Sequence, residues 1–146
     1  MSLALTPRVK LIRQLEFSTR RLREVKALIS SNRQDLIEPT LERYWFHISK
    51  LPDKDVKDEE LLARIKESLV VHLQTMAIIY PELSTPNAKM AVRSTLNRLM
   101  GRVDIPIFAR IPVCDFFENV ASSSALNRTE QIILKMRAEN CLKVLR

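Results

Sequence analysis

The stretch Leu41–Pro52, LERYWFHISKLP, decides how the chain is read. It holds the only tryptophan, one of two tyrosines, one of five phenylalanines and one of two histidines. With its flank included, Ile37, Leu41, Tyr44, Ile48 and Leu51 recur at steps of four, three, four and three. That spacing lines one face of an α-helix. Trp45 borders the face, while Phe46 and His47 point elsewhere. Surfaces that take up single strands set aromatics on open sheets or in basic grooves. Here the neighbours are Glu42, Arg43 and Lys50, and residues 34–62 carry four basic side chains against eight acidic ones. The aromatics are therefore expected to wall a core. Phe46 is the exception, either packed by another helix or free to anchor a partner.

Outward from this helix the chain reads as further helices separated by proline and small polar residues. Thr6-Pro7 is a cap residue followed by proline at the first helical position. The helix it opens carries an apolar stripe of Ile12, Leu15, Leu22, Val25 and Ile29 and should end in Ser30-Ser31-Asn32. Pro39 lies in the first turn of the second helix, where a missing N–H is cheapest, and Pro52 closes it. Asp58 should cap a third helix with stripe Leu62, Ile65, Leu69, Leu73, Met76 and Tyr80, stopped by Pro81. Thr85-Pro86 repeats the start signal for a fourth, through Val92, Leu96 and Leu99 to Gly101. Pro106 and Pro112 break the next region, with one short helix expected around Cys114–Val120. A last helix should run from about Ala125 with Leu134, Ala138, Cys141 and Leu145 on one side. The expectation is an all-α fold, a single compact bundle of five or six helices covering residues 1–146. The start MSLALTP and an end inside helical sequence suggest a piece of a longer protein.

A length of 146 residues with 46% apolar content suffices for one domain with a real core. Only one glycine, Gly101, is present, too few for a phosphate-cradling loop. The net charge of +7 is concentrated: residues 8–33 hold eight Lys/Arg against two Glu, and residues 89–110 hold five against one Asp. Arg20, Arg21, Arg23 and Lys26 form the densest cluster. Such a basic face suits an acidic peptide or nucleic acid, or is merely solvated. Arg93, Asn97, Arg98 and Arg102 would be needed on a recognition helix for base reading. The turn before them, YPELSTPN, is longer than the usual helix-turn-helix connection.

Catalytic and metal chemistry find little footing. His47, His72, Cys114 and Cys141 stand apart, whereas structural zinc sites present ligands in close pairs. The two cysteines are expected to be buried thiols. Serines 122–124 lack a nucleophile elbow. The carboxylates of DKDVKDEE are interleaved with lysines at a helix start, where capping explains them. No apolar run reaches the roughly 18 residues of a membrane span. The chain is read as a non-enzyme without cofactor or metal.

From Ile29 to Val103 the layout resembles the TFIIS N-terminal-like domains, above all their integrase-binding-domain branch. The segments DLIEPTLERYWFHISKLP, EELLARIKESLVVHLQTMAIIYP and AKMAVRSTLNRLMGRV follow that family's order of helices and turns. Ile29-Ser30 falls where the branch has an apolar residue and then an acidic one. Tyr80 falls at its loop aromatic. Ser30 departs from the acidic residue, and Met76–Ile79 replace expected basic ones. The resemblance implies interhelical loops that grip short disordered peptides, in a nuclear setting of chromatin or transcription. The resulting expectation is a protein-interaction domain for a partner with acidic and apolar residues, in the nucleus or otherwise the cytoplasm. Ile29, Phe46 and Tyr80 would be its apolar anchors, with Arg20, Arg21, Arg23 and Lys26 steering the encounter. A nucleic-acid-binding domain using the same basic helix and a homo-oligomerisation scaffold are the alternatives; no membrane partner is expected.

Overall fold

A computed structural model describes residues 6–52, 57–100, 102 and 128–145. Among them lie five α-helices, two 3-10 turns and no strand. Helix α1, Pro7–Ser30, opens with the Thr6 hydroxyl oxygen accepting from the Val9 N–H at 3.3 Å. It buries Leu15, Ser18, Leu22 and Val25, with Ile12 and Ile29 half-buried against the same core. Its end is a six-residue reversal. The Arg33 N–H donates to Leu28 O at 2.8 Å and the Asn32 N–H to Ile29 O at 3.2 Å. Between them Asn32 sits in the left-handed region at φ 59°. This is the Schellman pattern, which satisfies carbonyls a helix end would otherwise leave open.

A turn at Gln34–Leu36 leads into α2, Ile37–Ile48. Ile37, Leu41, Tyr44 and Ile48 are fully or nearly fully buried, and Leu51, just past the helix, joins them. The spacing in the opening stretch is thus the inward face. Helix α3, Glu59–Ile79, begins at Asp58, whose carboxylate accepts from the Leu61 N–H at 3.0 Å. One detail of its stripe differs from expectation. Leu61 is buried and Leu62 only partly, because the core side continues with Ile65, Leu69, His72, Leu73, Met76 and Ile79. A turn at Tyr80–Glu82 precedes α4, Pro86–Met100, where the Thr85 hydroxyl accepts from the Ala88 N–H at 3.3 Å. Helix α5, Arg128–Leu145, places Leu134 in the core. Gly101, the helix expected at Cys114–Val120, Cys114 and Ser122–Ser124 lie outside the described residues, as does the Cys141 side chain.

Three polar links fix how the helices lie. Arg8 of α1 pairs with Asp58 at the start of α3, and farther along Thr19 meets His72, so α1 and α3 run in parallel. His47, near the end of α2, bonds Gln14 in the first half of α1, so those two run antiparallel. The far end is tied by Gln34, whose side-chain oxygen accepts from the N–H groups of Ser84 at 2.9 Å and Thr85 at 3.2 Å. At the near end Arg102, just beyond α4, donates to Ile48 O and Leu51 O. Between these ties sits one apolar core drawn from all five helices. Each fully buried Leu or Ile there contributes about 1.5–3 kcal/mol against leaving it in water.

Candidate interaction surfaces

The parallel run of α1 and α3 leaves a groove of about 280 Å³ between them. Arg20 and Arg23 line it from α1, Arg64 and Ser68 from α3, with Thr19 and Glu16 on its margin. Among the described residues none of these three arginines forms an ion pair. Arg64, Val71 and Ile78 recur every seven residues, so they share one side of α3. Val71 is 56% exposed and Ile78 65% exposed. Arg64, which lines the groove, is thus followed on the same side of α3 by two exposed apolar side chains.

A second surface lies on the other flank of α1, where it meets α2. Here the rings and cations form a continuous row. The Arg20 guanidinium carbon stands 5.6 Å from the Phe17 ring centre. Phe17 and His47 lie 5.3 Å apart, and His47 and Phe46 5.4 Å apart edge to face. The Lys50 ammonium then sits over Phe46 at 4.6 Å. Phe46 is 56% exposed. The His47 Nδ1–H donates to Gln14 Oε1 at 2.8 Å, which fixes the ring in the row. Burial holds the His47 pKa below its ordinary value, and the charges of Arg21 and Lys50 add to the effect.

The residues picked from sequence do not converge on one spot. Ile29 and Tyr80 stand at the bundle end tied by Gln34, and both pack against the core, half-buried. The Tyr80 hydroxyl accepts from Arg93 at 3.1 Å. Phe46 stands at the opposite end, with the row just described. Arg23 faces the α1–α3 groove, and Arg20 stands between that groove and the Phe17 ring. Arg21 instead pairs with Glu24 at 2.6 Å on the α2 side. Lys26 is exposed. Of the four polar residues considered for base reading, Arg93 is buried, Arg98 is exposed with its guanidinium 5.6 Å from the Trp45 ring centre, and Arg102 holds the end of α2. Asn97 is partly buried with no hydrogen bond to its side-chain oxygen.

Arg64, Val71, Ile78 and Phe17 were missed as surface features. The signal for two of them was present, because α3 has more apolar residues than one stripe can hold. A surplus leucine, valine or isoleucine must lie on another side. Nothing in the sequence showed which neighbour would leave that side open. A third groove, of about 250 Å³ between α2 and α4, is floored by Trp45 beneath Arg98, with Glu38, Glu42 and Met90 around it. The described residues contain no cluster of three metal-type ligands and no helix long and apolar enough to cross a membrane. No family model, curated protein or solved structure matches the chain.

Proposed function

We propose that this helical bundle is a protein-interaction domain that docks a short partner segment carrying acidic and apolar residues along the α1–α3 groove. One observation carries the reading: Arg20, Arg23 and Arg64, from two helices, converge on a groove whose lining holds one carboxylate, Glu16, and among the described residues none of the three forms an ion pair. Three clustered guanidiniums repel one another, and an acidic ligand relieves that repulsion with charge-assisted hydrogen bonds. Beside them Val71 and Ile78 offer apolar anchors about 10.5 Å apart along the helix axis. A partner helix with apolar residues seven apart matches that distance. Its affinity then comes from the anchors and its on-rate from the arginines. The likeness of residues 29–103 to integrase-binding domains favours the same class of partner and a place in chromatin or transcription. The anchors differ from those the likeness implies: Val71 and Ile78 take the part given to Ile29 and Tyr80.

The test is a labelled helical peptide with leucines seven residues apart and glutamates at one end, titrated by fluorescence anisotropy. Arg23→Glu with Arg64→Glu should weaken binding at least about tenfold, and Val71→Ser with Ile78→Ser by a similar factor. Tyr80→Ala should leave it within about twofold. Equal affinities for all variants would dismiss the groove as the docking site.

A further inference from the structure

We infer that the row Arg20–Phe17–His47–Phe46–Lys50 is a second binding site, for single-stranded nucleic acid, which shares only Arg20 with the α1–α3 groove. Three aromatic rings in succession, each within 5.4 Å of the next and closed by a cation at both ends, form a stacking platform. Every nucleobase has a π-face, and such platforms accept bases without regard to sequence. The cations supply the other half of the ligand. Lys50 now covers the Phe46 ring, and a base that takes its place frees the ammonium for the adjoining phosphate. Arg13 and Arg43 are exposed one helical turn from Phe17 and Phe46, so the backbone of a bound strand has further cations on either side. The acidic residue on this flank of α1, Glu24, is already held by Arg21.

An acidic peptide shares the charge but has few π-faces, and duplex DNA hides its bases. Unpaired bases are therefore the ligand that fits the row. Phe46 is the ring to test, because 56% of it is exposed and the core does not depend on it.

A fluorescent thymidine homopolymer is titrated by anisotropy against the whole chain at several salt concentrations. An abasic deoxyribose-phosphate oligomer of equal length and an oligoglutamate of equal charge serve as comparisons. Binding of the homopolymer should exceed binding of either comparison by about fivefold to a hundredfold, the worth of one stacked base. Phe46→Ala should remove that margin without changing the salt slope, and Phe46→Trp should restore it. Lys50→Gln should instead lower the slope by about 0.7, one phosphate's share for a single strand. Arg64→Glu, which disables the groove, should leave the homopolymer affinity within about threefold. Equal binding of abasic and base-bearing oligomers, or an unchanged affinity in Phe46→Ala, would overturn the site. So would oligoglutamate binding that is as strong and as dependent on Phe46, which would make the row a peptide surface.

Discussion

His72 is a histidine in an apolar core, and its hydrogen bonds assign its proton. The Thr19 hydroxyl donates to Leu15 O at 3.1 Å, so its oxygen accepts from His72 Nε2–H at 2.9 Å. Nδ1 is then the acceptor for the Tyr44 hydroxyl at 3.0 Å. A second proton on Nδ1 would break that bond and place a charge in the core. Burial accordingly lowers the His72 pKa to about 4. It also pushes the Tyr44 phenol well up, with the Arg102 charge pulling the other way. The unfolded chain takes up the His72 proton near pH 6.5 and the folded chain only near 4. Stability from this group is therefore complete above about pH 6.5 and declines as pH falls towards 4, by about 3 kcal/mol in all. Urea titrations across that range should show the decline. His72→Leu should flatten it while losing about 1–3 kcal/mol at neutral pH, the cost of an unpaired Tyr44 hydroxyl. Adding Tyr44→Phe should recover much of that loss. A wild-type stability that stays level between pH 6.5 and 4.5 would show that the core admits the imidazolium. The two partners of His72, Thr19 and Tyr44, come from other helices, beyond any local pattern in the sequence.

At the scale of the element, the helix boundaries were legible because their causes are local. Thr6, Asp58 and Thr85 each cap the helix that their position announced. The ending of α1 was legible for the same reason. Ser31 and Asn32 resist continuation, and the reversal needs a residue that tolerates positive φ. Asparagine does so at less cost than most residues, and glycine does so more freely. Asn32→Gly should therefore stabilise the domain by about 0.5 kcal/mol, whereas Asn32→Val should destabilise it by about 1–2 kcal/mol. Thermal unfolding of the two variants against the parent checks both signs. The reverse order would mean that the Asn32 side chain contributes more than its backbone angle. The tie from Arg102 to the end of α2 was not legible. It joins residues about fifty apart in sequence, through carbonyls that carry no side-chain signature. A guanidinium at a helix C-terminus also complements the dipole there, so the tie secures α4 to α2 twice over.

At the scale of the whole molecule, the same blindness to neighbours explains which part of the candidate surface was visible. Basic clustering on α1 could be counted along the chain. Its division into a groove side with Arg23, an α2 side with Arg21 and Arg20 between them depends on where α3 and α2 lie. The charge itself has a stability consequence that separates function from solvation. A net charge of +7 with arginines crowded on one groove carries self-repulsion in the folded state. If that crowding is kept for a ligand, relieving it should help folding and harm binding. Arg20→Gln, Arg23→Gln and Arg64→Gln together should raise the unfolding temperature by about 1–3 °C at low ionic strength. The gain should shrink above about 0.3 M salt, where screening is strong over the distances across the groove. The same triple variant should lose the acidic peptide. Scanning calorimetry at two salt concentrations beside the anisotropy titration reads both quantities on one preparation. If the triple variant is less stable than the parent, the arginines hold the bundle together, and their clustering needs no ligand to account for it.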